Sequence, residues 1–276
     1  RSTRTVADVA LAAGERRDLD MTLRLAAVRE RLTVVGPSPR DAIEAAEIRE
    51  SPARDAAEAL EKLPGVWKLR KGGIANEVVV RGSQSRDLNV LIDGERIYGA
   101  CPNHMDPPSF HVDFAQVERV EVAKGPFDVR NQGSLGGVVN IVTRRPEPGL
   151  HATANAAAGA WGYVNPSVTA SWAGASFSAL AGYSFRRSEA FADGDGRRFT
   201  ERTNYRSDSV EDEAFRAGTA WARVGFVPAE GHTVAVSYTR QDTSHTYYPY
   251  LQMDAVYDDA DRFGLTWEAK PSAVVA

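Results

Sequence analysis

The stretch that most constrains the fold runs from residue 117 to residue 143. It opens with VERVEVAK, in which apolar Val120 and Val122 alternate with charged Arg119 and Glu121. A period of two residues is typical of a β-strand with one buried face and one polar face. The stretch therefore begins with a half-buried strand.

A glycine-rich corner and a second strand follow. Gly125 and Pro126 end the first strand, because glycine permits a sharp turn and proline cannot donate to a strand ladder. Gly133, Gly136 and Gly137 come next, and residues 138–143 read VVNIVT, apolar enough for a strand buried on both faces. A dinucleotide-binding loop does not fit, because the spacing is not G-x-G-x-x-G and a β-branched run replaces the expected helix.

These residues resemble the end of the plug domain of TonB-dependent outer-membrane receptors. In that family a strand ending in Gly-Pro leads through a glycine corner into a segment of the form GGvvNivT, here Gly125-Pro126 and residues 136–143. Three further plug-like motifs are LEKLPGV at 60–66, VRG at 80–82 and LIDG at 91–94. The resemblance implies an α+β plug domain followed by antiparallel transmembrane β-barrel strands, in an outer membrane of the Gram-negative type.

Composition agrees with this class. The 276 residues carry a formal charge of −4, which argues against a nucleic-acid partner. No run of 18 apolar residues occurs, but a transmembrane barrel strand needs only about 10 residues of alternating polarity. Only five of the 24 aromatic residues precede residue 151, and aromatic enrichment is typical of a barrel wall. The single cysteine, Cys101, excludes an internal disulfide.

Six strand patterns follow residue 150. In one of them Phe177, Ala179, Ala181, Tyr183 and Phe185 alternate with more polar neighbours. Two connections are short, at 173–175 and 229–232, and two are long, at 187–213 and 242–262, as between the two sides of an outer-membrane barrel. Because a plugged transporter needs about 22 strands, we expect the N-terminal fragment of a plugged barrel. A self-contained β protein with a covered sheet is the alternative.

The chain is predicted to divide into four parts. Residues 1–28 resemble the end of a small β-sandwich, although a generic hairpin fits as well. Residues 29–39 form a TonB-box-like linker. Residues 40–147 are the plug domain, and residues 150–276 are about the first six barrel strands. Besides outer-membrane lipid, the resemblance implies the periplasmic energy transducer TonB as a partner, through strand addition at Leu32, Thr33, Val34 and Val35.

One helix is predicted in the plug. Ser51 would cap it and Pro52 would occupy its first turn. Ala56, Leu60 and Leu63 share a face at helical spacing, and the helix should end at Pro64-Gly65.

The predicted ligand-binding loop spans residues 98–111, YGACPNHMDPPSFH. It contains Cys101 and Met105, and a thiolate with a thioether favours Cu(I) over hard cations. The C-x-x-x-M motif resembles that of outer-membrane copper receptors, which add H-x-M from a barrel loop. Met253 is therefore the third predicted metal ligand. The remaining predicted ligand-loop residues are Tyr98, His104, Asp106 and His111.

This chain departs from that motif at Leu251, where the family has histidine. His245 or His104 would have to replace it, or the site has three ligands. Alternatively, Cys101 is a small buried hydrophobic residue and Met105 fills a gap in the core.

Charged residues support weaker predictions. Arg81, Arg119, Glu121 and Lys124 of the plug are expected to pair with charges of the barrel wall. The acidic loop at 187–213 has the oxygen ligands that Ca²⁺ prefers, but it lacks regular spacing, which favours a solvated loop.

The predicted function is import of a scarce nutrient by a TonB-dependent receptor, with copper as a transported ligand rather than a required cofactor. A siderophore or another organic nutrient is the alternative within the family. An outer-membrane adhesin, scaffold or hydrolase is the alternative from another class. No enzyme is expected, because the G-x-S-x-G, H-E-x-x-H and C-x-x-C motifs are absent.

Overall fold

The computed structural model describes Gly14 and residues 40–51, 53–84, 86–126, 131, 133–202, 205–251 and 253–270. The chain separates into two compact units, residues 1–37 and 38–276, and the architecture below is that of the second. The predicted sandwich hairpin at 1–28 and the TonB-box-like residues Leu32, Thr33, Val34 and Val35 lie outside the described residues.

The first part of the second unit is an α+β domain. Its elements are β1 (Arg40–Ile43), α1 (Ala45–Glu50), α2 (Ala56–Leu60), β2 (Val66–Leu69), β3 (Glu77–Val80), β4 (Leu88–Ile92), β5 (Glu95–Arg96), β6 (Val117–Lys124) and β7 (Gly137–Thr143). Five strands form one sheet in the order β1-β6-β7-β4-β5, in which only β4 and β7 are parallel. The hairpin of β2 and β3 stands apart as a two-stranded sheet.

The predicted strand–corner–strand is the centre of the larger sheet. β6 and β7 pair antiparallel, with Val120 opposite Ile141 and Val122 opposite Val139, and all four side chains are buried. The corner requires glycine at Gly137, where φ is +137° and an added Cβ would lie 2.3 Å from the carbonyl oxygen of Ala123. Local alternation and the glycine corner therefore position the sheet on which the rest of the domain packs.

The predicted helix begins later than expected. α2 starts at Ala56, because Asp55 caps it by accepting a hydrogen bond from the Glu58 N–H at 2.9 Å. Ser51 instead ends α1, a helix that the sequence pattern did not indicate, by donating its N–H to the carbonyl of Ile48. No helix among the described residues is long and apolar enough to cross a membrane.

The second part is an antiparallel meander that follows the six predicted strand patterns. Its strands are β8 (Gly149–Ala158), β9 (Val164–Ala173), β10 (Phe177–Glu189), β11 (Glu213–Ala229), β12 (His232–Thr246) and β13 (Ala260–Ala269), paired in chain order. β12 is longer than predicted, because its pairing with β11 continues to Thr246 opposite Phe215. The second long connection therefore spans residues 247–259 rather than 242–262.

In a water-soluble protein the exposed face of a sheet is polar and the buried face is apolar. This sheet has the opposite arrangement. Large apolar side chains are exposed on one face, among them Phe263, Leu265 and Trp267. On the other face polar side chains are buried, among them Ser184, Thr219, Gln241 and Thr243. An apolar outer face around a polar interior is typical of a membrane barrel wall. The fold is therefore that of a fragment of a plugged barrel, as predicted.

Two apolar clusters hold the structure together. One lies within the α+β domain, around Leu60, Val80, Val120 and Ile141. The other joins that domain to the meander and its long connections, by packing Ile74, Met105 and Phe110 with Phe199, Phe215 and Tyr248. The second cluster places the 98–111 loop against the long connections.

Candidate functional site

The loop at residues 98–111 is closed on itself by Asp106. The buried carboxylate of Asp106 accepts hydrogen bonds from the N–H groups of Ala100 and, at 3.0 Å, Cys101. His104 has a φ of +54° and donates its N–H to the carbonyl of Cys101 at 2.9 Å. Because these hydrogen bonds join residues that are close in the chain, Cys101, His104 and Met105 lie in one tight turn.

A buried ion pair in the β2–β3 hairpin also holds this turn in place. Lys71 lies 2.8 Å from the carboxylate of Glu77, and both side chains are buried. Lys71 also donates a hydrogen bond to the carbonyl of His104. The β2–β3 hairpin thus anchors the loop.

The connection at 247–259 contacts this loop at two points. The buried Tyr248 donates its hydroxyl to the carbonyl of Met105 at 3.0 Å. The amide nitrogen of Asn103 lies 3.1 Å from the sulfur of Met253. The structure therefore brings the segments that carry Cys101, Met105 and Met253 into contact.

The three sulfur residues differ in exposure. Met105 is buried in the cluster with Phe110 and Phe215, Cys101 is partly buried against the same cluster, and Met253 is half exposed. No group of three His, Cys, Asp or Glu side chains able to hold a metal ion occurs among the described residues. A metal ion at this loop would therefore depend on the methionine sulfurs.

His104 and His245, the two predicted replacements for the missing histidine ligand, lie in different surroundings. His104 is part of the turn, whereas a ring nitrogen of His245 contacts the carbonyl of Glu213 at 2.5 Å. Leu251, the predicted point of departure from the H-x-M motif, packs against the second apolar cluster.

A cavity of about 330 Å³ opens beside the loop, and three of the four other predicted ligand-loop residues, Tyr98, Asp106 and His111, line it. His104 is not among its lining residues. The opposite wall comes from β12, β13 and the connection between them, with Thr239, Gln241 and residues 258–262.

The charges around this cavity perturb two of its groups. Burial raises the pKa of Asp258 to about 6, and the nearby carboxylates of Asp106 and Asp259 add to the effect. Burial lowers the pKa of His111, because its attraction to Asp106, 3.9 Å away, does not offset desolvation and the charge of Arg262. At neutral pH the cavity therefore contains ionised Asp258 beside a neutral imidazole.

A second cavity of about 420 Å³ was not predicted. It is bordered by Arg54 and Arg70 and by six aromatic side chains, Trp161, Tyr163, Phe191, Phe199, Phe215 and Tyr247. Phe191 stacks at a tilt on Phe199, with ring centroids 4.8 Å apart. The aromatic enrichment after residue 150 was the available signal, but it was interpreted as a barrel wall, whereas Phe191, Phe199 and Tyr247 fall in the predicted long connections.

The predicted plug–barrel charges pair differently from the expectation. Arg119 pairs with Glu118 and Glu121 at 3.2 and 2.9 Å, and Lys124 pairs with Asp41, all within the α+β domain. Arg81 lies exposed in the turn after β3 and donates its N–H to the carbonyl of Gly65. Arg119 finds its partners within its own strand β6, and Lys124 finds Asp41 on β1, the strand paired with β6.

Other residues join the two parts. The Arg186 guanidinium of β10 lies 3.2 Å from the Asp113 carboxylate, both buried, as an ion pair without an aligned hydrogen bond. Arg262 of β13 donates to the carbonyl of His111 at 3.0 Å and contacts the Gln116 side chain at 3.4 Å. The available signal was an arginine within the alternating pattern of each of these two strands, Arg186 in β10 and Arg262 in β13.

The acidic loop forms ion pairs of its own. Arg198 pairs with Glu189 and Glu211, and Arg197 pairs with Asp193 and Asp195. This pairing supports the solvated-loop interpretation over a calcium site.

Comparisons with known proteins agree with this architecture. Residues 35–138 match the family model of the TonB-dependent Receptor Plug Domain. The vitamin B12 transporter BtuB of Photobacterium profundum is 36% identical over 108 residues, which are 38% of this chain and 18% of BtuB.

Two solved structures show the same fold. The copper transporter OprC aligns with a TM-score of 0.71 at 23% identity, over 86% of this chain and 36% of OprC. The siderophore receptor PirA from Acinetobacter baumannii aligns with a TM-score of 0.59 at 18% identity, over 76% of this chain and 32% of PirA. The chain thus spans about a third of the length of these receptors and less of BtuB.

Proposed function

Starting from a chain that carries the plug domain of a TonB-dependent outer-membrane receptor, we propose that it belongs to a transporter that takes up copper as Cu(I). The chain resides in the outer membrane, as receptors with this plug domain do. Cys101, Met105 and Met253 would bind the transported ion, and TonB would supply the energy for its passage.

The observation that carries the proposal is the contact between two sulfur-bearing segments. Asn103, two residues after Cys101, lies 3.1 Å from the Met253 sulfur, and Tyr248 bonds the Met105 carbonyl. An ion bound by all three sulfurs would link the plug loop to a barrel connection. Such a link would let binding of the ion at these three residues influence the plug, which is the part that must move for transport.

The chemistry of the donors supports Cu(I). Thiolate and thioether sulfurs are soft ligands, and they prefer Cu(I) to Mg²⁺, Ca²⁺ or Mn²⁺. Met105 is buried and unbranched, so its side chain can turn from the apolar cluster toward an ion with little change of volume. The similarity in fold to OprC, which is named a copper transporter, also supports copper as the ligand.

The test is a Cu(I) titration of the receptor that carries this chain, purified in detergent under reducing conditions, in competition with a chromophoric chelator. Cys101→Ser should weaken binding more than tenfold, because a hydroxyl is a hard and poor replacement for a thiolate. Met105→Leu and Met253→Leu should weaken it less, since they remove only the sulfur and nearly keep the volume.

Met21 offers a matched control, because Met21→Leu removes the one thioether of the chain that is not a proposed ligand. Leu251→His should tighten binding by supplying the ligand that the resembling receptors have. Unchanged Cu(I) affinity in Cys101→Ser would refute the copper site.

A siderophore or another organic nutrient is the second candidate, and the aromatic cavity is the observation that favours it. Six aromatic side chains and two arginines border about 420 Å³, which suits an anionic ligand with aromatic rings. A ferric catecholate siderophore should then quench the fluorescence of Trp161, and Phe199→Ala should weaken that quenching. Siderophore binding with no Cu(I) binding would favour this candidate over copper.

A further inference from the structure

The cavity beside the 98–111 loop contains a buried acceptor with no partner. Gln241 is only 1% exposed, and its amide nitrogen lies 3.5 Å from the hydroxyl of Thr243. Among the described residues its carbonyl oxygen Oε1 has no hydrogen-bond partner, although Gln241 lines the cavity. A buried amide oxygen without a partner is unfavourable, so the site is built for a ligand that donates a hydrogen bond.

His111, on the facing wall, has the same property. Its ring nitrogen Nδ1 is buried and has no hydrogen-bond partner within the part of the chain that the structure describes, and His111 lines the same cavity. Two residues from different parts of the fold, each with a buried atom that has no partner among the described residues, thus line one cavity.

The charge of the cavity is negative, and Asp258 has no ion-pair partner among the described residues. Asp259 and Asp261 share one cation, Arg240, at 2.9 and 2.8 Å, and Asp106 accepts hydrogen bonds from backbone N–H groups. Among the described residues, no ion pair or side-chain hydrogen bond engages Asp258.

The cation on the same wall does not compensate Asp258. Arg262 directs its guanidinium to the carbonyl of His111 and to the side chains of Gln116 and Thr239. The cavity therefore retains an acceptor surface with a net negative charge, since its lining carries four aspartates and one arginine.

A single metal ion fits this arrangement poorly. In the part of the chain that the structure describes, no three His, Cys, Asp or Glu side chains converge closely enough to hold one. Unlike a metal ion, a protonated amine has three N–H donors and a guanidinium group has five. These donors can reach acceptors that are several ångströms apart.

We propose that this cavity binds a small organic cation, with Asp258 pairing with its ammonium or guanidinium group and Gln241 Oε1 accepting one of its N–H donors. His111 accepts a further donor through Nδ1. The site is distinct from the three sulfur residues and therefore goes beyond copper uptake: the receptor recognises a ligand that carries an amine or guanidine.

Agmatine, which carries one ammonium and one guanidinium group, is the probe. Isothermal titration calorimetry of the receptor that carries this chain, in detergent at pH 7.5, should show saturable binding. Asp258→Asn and Gln241→Leu should each weaken it at least tenfold, whereas Asp258→Glu, which keeps the charge, should retain measurable binding.

Asp195→Asn is the matched control, since Asp195 is an exposed loop carboxylate outside the cavity, and it should leave the affinity unchanged. Cys101→Ser should also leave agmatine binding intact, which separates this proposal from the copper site. Absence of agmatine binding, equal affinity in Asp258→Asn, or Asp258-dependent binding of Ca²⁺ in place of agmatine would overturn the proposal.

Discussion

At the scale of single residues, Glu58 is a carboxylate held between two cations of the plug. Its oxygens accept hydrogen bonds from the Arg54 guanidinium at 2.5 and 3.2 Å and from Lys68 at 3.0 Å. Burial alone would raise the pKa of Glu58, but these bonds outweigh it and lower the pKa from 4.5 to about 2.

The first prediction concerns this carboxylate. Because the pKa is lower in the folded plug than in the unfolded chain, the stabilisation is complete above pH 4.5 and is lost as the pH falls toward 2. Glu58→Gln should therefore lower the melting temperature at pH 7 and lose most of that difference near pH 2. A melting difference independent of pH would show that the ionic contacts do not stabilise the plug.

Gly137 tests the corner between the two central strands. Gly137→Ala would force a side chain into a backbone with φ of +137° and bring its Cβ within 2.3 Å of a carbonyl oxygen. Strain of this kind costs about 1–3 kcal/mol, and the close contact adds to it, so chemical denaturation should show at least this loss. Gly194→Ala, where an added Cβ meets nothing within 4 Å, should change stability little.

At the scale of elements, the pair of Arg186 and Asp113 joins β10 to the segment that precedes β6. Both side chains are buried, and removing one partner of a buried ion pair leaves an uncompensated charge that costs about 3–5 kcal/mol. Arg186→Met and Asp113→Asn should each destabilise the docking of the plug, and the double variant should recover much of the loss.

Thermal melting of the four proteins of this cycle measures the coupling between the two residues. Arg197→Met is the control, because Arg197 pairs with Asp193 and Asp195 at the surface, where ion pairs contribute at most about 1 kcal/mol. Additive losses in the double variant would mean that the pair does not couple plug and wall.

At the scale of the whole molecule, the proposed function requires that TonB, its proposed partner, act on the plug from the periplasm. The predicted contact is strand addition at residues 32–35, which lie outside the described residues. Val34→Pro should abolish energy-dependent uptake and leave surface binding of the ligand intact, because proline removes a ladder donor. Val34→Ile, which keeps that donor, should transport normally, and transport by Val34→Pro would place the contact elsewhere.

The sequence by itself determined the strand–corner–strand at 117–143, the six strands after residue 150 and the loop that carries Cys101 and Met105. Each depends on a pattern within one segment, since alternation, glycine and proline act on their own neighbours in the chain. The end of β12 and the start of α2 escaped such patterns, because pairing with β11 and capping by Asp55 decided them.

Only the tertiary structure decided which side chains meet. Asp113 and Arg186 are far apart in the chain, and their pairing follows from the docking of the plug sheet on the polar face of the meander. The cavity around Gln241 and Asp258 has the same origin, because its walls come from two separate parts of the chain. Alternating polarity along a strand predicts which face of the sheet a residue occupies. The residue that it contacts on that face depends on how two surfaces pack against each other, and only the tertiary structure determines this.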